Sequence, residues 1–331
     1  MKAREIHLQS RPVGLPAAEN FTLVEVDARA PQPGEVQVRN LWMSVDPYMR
    51  GRMYDRPSYV PPFQLGEALQ GHAIGEVIAS ADDGFAAGDL VSSMWGWRDG
   101  FTAPAKTLEK LPRLEGVPVQ AFLGVLGMPG LTAYTGLLEI GQPKAGETVF
   151  VSGGAGAVGS VVAQIAKIKG CTVVATAGSD AKCDWLRSVG VDHAINYKSG
   201  DLLGAVRAAA PQGIDVYFDN VGGEHLEVAI EVARGGARFA ECGMISGYNA
   251  TEPTPGPRNI MMVVGKSLKI QGFIVSNYGH LRPQFITDMS GWIAQGQVKW
   301  EETVLDGIEA APDAFLNLFT GGNTGKMLVK L

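Results

Sequence analysis

Glu147-Thr-Val-Phe-Val-Ser152 runs into Gly153-Gly-Ala-Gly-Ala-Val-Gly159, then a helical stretch to Lys169, then Cys171-Thr-Val-Val-Ala-Thr176. Strand, glycine turn, helix and strand follow one another, and this succession decides the fold. Gly154, Gly156 and Gly159 stand in G-x-G-x-x-G spacing. One glycine makes the tight turn, one lets the backbone approach a pyrophosphate, and one packs helix on strand. The phosphates then rest on the N–H groups and positive dipole end of the helix. A bare glycine-rich loop would lack the flanking alternation, so Gly153, Gly154, Gly156, Ala157, Val158 and Gly159 are expected to cradle a dinucleotide.

The end of the second strand selects the dinucleotide. An NAD site places Asp or Glu there, about 20 residues past the glycines, to accept from the ribose 2′-hydroxyl. This chain reads Ala177-Gly178-Ser179-Asp180-Ala181-Lys182 instead. The strand end is small and neutral, with Lys182 one helical turn beyond. A cation there suits a 2′-phosphate, because hydrogen bonds to charged groups contribute about 1.5–3 kcal/mol each. Asp180 reads as the N-cap of the helix that opens with Ala181-Lys-Cys-Asp-Trp-Leu186. NADP is favoured over NAD.

A length of 331 residues leaves room for two domains. The net charge of −6 offers no electrostatic footprint for nucleic acid or an anionic membrane. No apolar run reaches transmembrane length, and Met1-Lys-Ala-Arg-Glu-Ile-His7 lacks the apolar core of a signal peptide, so a cytoplasmic location is expected. The three cysteines, Cys171, Cys183 and Cys242, share no metal-ligand spacing and are too few for a disulfide framework.

Apolar strands continue to alternate with helices as far as Leu268–Val275, passing Asp192–Asn196, Ile214–Asp219 and Ala237–Cys242. This pattern predicts a doubly wound parallel sheet covered on both faces, over about residues 126–298. Residues 1–125 differ. Glu35–Trp42, Gly75–Ala79 and Leu90–Gly96 are short strands broken by Pro and Gly turns, the mark of an antiparallel, barrel-like domain. Lys299–Leu305 and Lys326–Leu331 also read as strands, so residues 299–331 are expected to rejoin the first domain, with the active site in the cleft between the two. Thr251–Arg258, rich in Pro, reads as a mobile surface loop.

With this order of domains the chain resembles the medium-chain dehydrogenase/reductase superfamily almost end to end. Leu186-Arg-Ser-Val-Gly-Val-Asp-His-Ala-Ile-Asn196 and Asp215-Val-Tyr-Phe-Asp-Asn-Val-Gly-Gly223 look typical of it. Asp46-Pro-Tyr-Met-Arg-Gly-Arg52, Asn196-Tyr-Lys198, Cys242-Gly-Met-Ile-Ser246 and Gly322-Asn-Thr-Gly-Lys326 resemble its zinc-free branch. That branch includes prostaglandin and leukotriene reductases, plant alkenal double-bond reductases and bacterial curcumin reductase. The implied fold is α/β, a Rossmann-type doubly wound parallel sheet plus a mainly antiparallel barrel-like (GroES-like) β domain. Where the zinc-dependent siblings carry a ligand cysteine this chain has Ser44-Val45-Asp46, and their Gly-His-Glu becomes Gly71-His72-Ala73. A catalytic zinc needs three protein ligands, so a metal-free enzyme is expected and His72 reads as a turn or supporting residue.

The resemblance also implies the cofactor contacts. Gly156–Gly159 hold the pyrophosphate, and Lys182 and Tyr197 face the 2′-phosphate. Asn220, Cys242, Gly243, Met244, Ile245, Ser246 and Tyr248, with Phe273, Ile274 and Val275, line the ribose and nicotinamide. Asn323 reaches across the cleft.

Without a metal or a nucleophile–base pair, NADPH is the chief reagent and the protein positions the acceptor and stabilises developing charge. Reduction of a C=C bond conjugated to a carbonyl fits: a hydride adds to the β-carbon, and charge moves onto the carbonyl oxygen. Tyr48 and Tyr248 are the candidate hydroxyl donors to that oxygen, and a small apolar enone or enal is the expected substrate. A quinone reductase and an NADPH-binding protein without turnover stand as alternatives. Trp95 and Trp97 either wall an apolar pocket or pack in the barrel core. Arg50 and Arg52 either attract a substrate carboxylate or pair with local acids. A homodimer is a further expectation of the resemblance, with the sixth strand pairing across the interface.

Overall fold

Six strands pair in parallel in the spatial order His193–Asn196, Thr172–Ala177, Thr148–Val151, Ile214–Asp219, Ala233–Glu241 and Lys269–Gly272. In chain order this is 3-2-1-4-5-6, the doubly wound arrangement. The computed structural model describes residues 1–331 and divides into two units. The unit that holds this sheet comprises Gly124–Glu301 with Thr324–Lys326.

The sheet forms because its inner strands are apolar on both faces. Val149, Phe150, Val151, Val173, Val174, Phe218 and Phe239 are all completely buried, and burying one large aliphatic or aromatic side chain contributes about 1.5–3 kcal/mol. The helices Gly159–Ile168, Asp180–Ser188, Leu202–Ala209 and Glu224–Val232 alternate with the strands along the chain. The sixth strand stops at Gly272, earlier than expected, and Phe273–Val275 leave the sheet. Phe273 turns its ring against Phe218, edge to face at 6.3 Å. Gly136 makes room for both: a Cβ there would come within 2.5 Å of the Phe273 ring and 2.6 Å of the Phe218 ring.

The second unit comprises Met1–Leu123, Glu302–Asn323 and Met327–Leu331. Lys2–Leu8 and Phe21–Asp27 form an antiparallel pair, and a mainly antiparallel seven-stranded sheet surrounds the long strand Glu35–Ser44. That strand pairs with Ala73–Ser80, with Gly100–Pro104 and with the end of the chain, where Leu328 lies opposite Ser44 and Val329 opposite Met43.

Leu90–Ser93 is shorter than expected, and beyond it the chain turns at Trp97, whose φ is +61°. Trp97 is fully buried, stacked on Phe21 and edge-on to Phe315, so it belongs to the core of this unit. Half-buried Trp95 stacks on Phe101 at 5.5 Å. Residues 251–258 are irregular and mostly exposed, with Arg258 paired to Glu227 at 2.6 Å. No helix is long and apolar enough to cross a membrane.

Candidate active site

The strand Thr148–Val151 ends where the strand order reverses, the crevice in which doubly wound sheets take their ligands. There the chain makes a close turn. Gly153 adopts φ +59°, and the Gly154 N–H donates to Thr176 O at 2.7 Å. A Cβ on Gly154 would lie 2.8 Å from the Ala175 Cβ, and one on Gly159 would collide with the Gly153 carbonyl. Each side chain removed lets backbone lie against backbone, leaving the cradle a pyrophosphate requires. The helix Gly159–Ile168 starts directly after Ala157 and Val158 with no side-chain cap, and its Ser160 and Val162 N–H groups donate to Gly156 O and Val158 O, both at 3.0 Å, so its positive end abuts the turn. Gly325 donates its N–H to Ala155 O at 2.8 Å, which lays residues 324–326 beside the glycine turn. Asn323 immediately precedes that segment in the chain.

The end of the strand Thr172–Ala177 is cationic. The neighbouring strand His193–Asn196 sets Asn196 opposite Ala177, so Tyr197 and Lys198 emerge beside Gly178. A Cβ on Gly178 would stand 3.3 Å from the Tyr197 hydroxyl and 3.4 Å from Lys198 Cε. The Lys182 ammonium is held below its ordinary pKa by burial and then by the positive charge of Lys198. Two cations whose charges repel, one of them beside a glycine that leaves space, suit a dianionic phosphate. Lys198 went unrecognised in the sequence as a site residue, although Asn196-Tyr-Lys198 was there to mark it. One expectation is corrected: Ser179, not Asp180, caps the helix, its Oγ accepting from the Lys182 N–H at 3.4 Å. Asp180 is the first helical residue, and its carboxylate accepts from Asn196 Nδ2 at 2.8 Å.

Two loops continue past the carboxyl ends of the fourth and fifth strands and are tied together. Cys242 and Gly243 N–H groups donate to Asp219 O at 3.0 and 3.1 Å, and Ile245 N–H donates to Asn220 O at 3.2 Å. Ser246 Oγ donates to Val221 O at 2.6 Å. Asn220 braces the switch point, its backbone N–H on Ser152 Oγ and its side-chain amide on Ser152 O, both at 2.8 Å. Cys242, Gly243, Met244, Phe273 and Ile274 line one cavity of about 580 Å³ with Glu241, Asn277 and Tyr278. The last three were not singled out in the sequence. Val275 begins the following short helical segment Val275–Leu281.

Tyr248 folds back so that its hydroxyl accepts from the Met244 N–H at 3.3 Å. The Cys242 thiol is pushed up to about 12 by burial and by the charges of Asp219 and Glu241, which rules it out as a nucleophile at neutral pH.

In the other unit Tyr48 begins the short helix Met49–Arg52 and packs against the core around Met43, Met49 and Trp97. Burial first, and then the charge of Asp46, push its hydroxyl above the ordinary tyrosine range, so it is a neutral O–H donor. Arg50 is completely buried and donates to Gly14 O at 2.8 Å, while its guanidinium covers the Tyr54 ring at 4.1 Å. Arg52 donates to Pro61 O and Gln70 Oε1 at 2.8 and 3.0 Å. Both arginines pin loops of this unit. No group of three or more His, Cys, Asp or Glu side chains is placed to hold a metal ion.

Known proteins match both units. The family model described as "N-terminal domain of oxidoreductase" matches residues 4–111, and the one described as "Zinc-binding dehydrogenase" matches residues 157–294. The NADPH-dependent curcumin reductase of Escherichia coli is 41% identical over 98% of this chain and 95% of its own length. The NADP(+)-dependent 2-alkenal reductase of Nicotiana tabacum is also 41% identical, over 98% of this chain and 96% of its own. The crystal structure of CurA in complex with NADPH from Vibrio vulnificus superposes with a TM-score of 0.93 at 42% identity, covering 99% of this chain and 98% of that one. The chain belongs to the medium-chain dehydrogenase/reductase superfamily of oxidoreductases, in the zinc-free branch that holds the curcumin and 2-alkenal reductases.

Proposed function

We propose that this protein is an NADPH-dependent reductase of the C=C bond in α,β-unsaturated aldehydes and ketones. The observation that carries the cofactor choice is the cationic strand end. Lys198 stands beside Gly178 and its charge acts on Lys182, at the strand end where an NAD site would hold a carboxylate. The names of the related reductases support the alkene as acceptor.

When bound, NADPH supplies a hydride to the β-carbon of the acceptor. The chain's own residues do the rest. The glycine turn and the uncapped helix hold the pyrophosphate, and Lys182, Lys198 and Tyr197 hold the 2′-phosphate. The loops 242–248 and 273–275 orient the nicotinamide. Tyr248 or Tyr48 donates its O–H to the carbonyl oxygen as negative charge gathers there, a neutral donor aimed at developing charge.

The test is NADPH consumption with a panel of 2-alkenals and alkenones, the products checked for a saturated C=C bond. No C=C reduction across the panel overturns the reading. Semiquinone formation with simple quinones would point to a quinone reductase instead, and NADPH affinity without turnover on either panel to a binding protein.

A further inference from the structure

Three oxygens at the carboxyl ends of the sheet, Asp219 Oδ2 and both of the Glu241 carboxyl, are sealed from solvent without a hydrogen-bond partner. The buried Tyr217 hydroxyl lies in hydrogen-bonding contact with Asp219, and no N–H or O–H of the chain is placed on Glu241. Asp219 and Glu241 stand directly opposite one another in the register of adjacent strands, and their side chains are in hydrogen-bonding contact. Two ionised carboxylates touching away from water repel strongly, and one proton held between them removes the conflict.

The surroundings decide which residue carries that proton. Asp219 Oδ1 already accepts from Ser152 Oγ at 2.7 Å and from the N–H groups of Val221 and Gly222, both at 2.8 Å. Those bonds favour its anion. Glu241 accepts none.

We propose that Glu241 is a protonated positioning residue, whose carboxyl O–H donates to Asp219 and thereby braces the nicotinamide-facing loops 220–222 and 242–248. Asp219 is the joint between these loops. Its side chain holds the first, its backbone carbonyl holds the N–H groups of Cys242 and Gly243 in the second, and Ser152 anchors it at the switch point. Glu241 fastens that joint from the neighbouring strand. The shared proton stands by itself; the loops' role rests on the NADPH reading.

The groups around the pair supply no competing cation. Tyr217 lies on the Asp219 strand, His225 on the helix Glu224–Val232, Cys242 next in the chain, and Tyr278 on the cavity wall. Burial keeps the Tyr217 hydroxyl and the Cys242 thiol protonated, and holds His225 down at about 4, so it too is neutral. Burial, and after it the Asp219 charge, push the Glu241 carboxyl up to about 8. A raised carboxyl contributes stability that is fully present below its unfolded value of 4.5 and is lost as pH rises to about 8, where the folded protein releases the proton.

Three measurements test this. Infrared spectroscopy of the cofactor-free protein near neutral pH should show a protonated-carboxyl band that Glu241→Gln removes. Thermal melting without cofactor should decline from about pH 5 to about pH 9 more steeply in the wild type than in Glu241→Gln. NADPH affinity, by fluorescence titration, should weaken about tenfold over about pH 7–9 in the wild type. It should hold constant in Glu241→Gln, which keeps a neutral donor, and be about tenfold weaker throughout in Glu241→Ala.

A wild-type protein without the band, or a Glu241→Gln profile matching wild type, overturns the shared proton. NADPH affinity indifferent to both pH and Glu241→Ala overturns the positioning role. No NADPH binding at any pH overturns the cofactor reading and the positioning role with it, while the infrared and melting results still decide the proton.

Discussion

Lys182 could be read from the sequence because its place follows from local spacing, one helical turn past a strand end. Lys198 is 16 positions further along, and only the pairing of Asn196 with Ala177 brings it to the same spot. Contacts made through sheet order leave little trace in a linear reading. The misplaced cap has a smaller cause: Ser179 and Asp180 are both good cap residues, and one position separates them. Glu241 was invisible for a third reason, since a carboxylate at a strand end ordinarily faces water. The cation pair yields a graded prediction. Lys182→Ala and Lys198→Ala should each weaken NADPH binding about 10–100-fold, roughly 1.4–2.8 kcal/mol, and leave NADH nearly unchanged. Equal losses for the two cofactors in a titration would count against a 2′-phosphate at this site. Tyr248→Phe removes the O–H proton but keeps the ring. It should lower kcat with little effect on NADPH affinity if Tyr248 is the donor; wild-type turnover would leave Tyr48 as the candidate.

At the level of elements, the alternation of apolar strands and helices was legible from Glu147 to Gly272, because a parallel strand covered on both faces must be apolar throughout. The ends of elements were less so. The sixth strand ends where Phe273 gains more by packing on Phe218 than by continuing the ladder, and Leu90–Ser93 ends before a tryptophan that turns into the core. Both are tertiary choices that local propensity does not register. The glycine turn lies at the other extreme, and Gly159→Ala tests how tightly it is built. Alanine in place of glycine ordinarily helps a helix by about 1 kcal/mol. Here the new Cβ would collide with the Gly153 carbonyl, and overpacking against a fixed group costs about 1–3 kcal/mol. The clash should win, because the carbonyl cannot retreat without moving the turn. A lower melting temperature and weaker NADPH binding are expected; a variant as stable as wild type would mean the turn has slack.

Of the whole molecule, the sequence reveals its two kinds of sheet more readily than its surfaces. Lys269–Gly272 is the open edge of the six-stranded sheet, paired only with Ala233–Glu241, and all four of its residues are exposed. The short helix Met262–Gly265 leads into it. Met262 and Val263 pack inward against the core, while Met261 and Val264 are each 79% exposed. An unpaired edge beside exposed apolar side chains is a template for another strand, and a two-fold axis lets one such edge satisfy itself with a second copy. Centred on Ile270, an antiparallel pairing sets Lys269 of each copy against Gln271 of the other, so no like charges meet. The expected outcome is a dimer at micromolar concentration in light scattering or sedimentation. Val264→Glu and Ile270→Lys should shift it to monomer, by placing charge where apolar surface is buried. A wild-type chain that sediments as a monomer would overturn the dimer, and variants that stay dimeric would move the contact away from this edge.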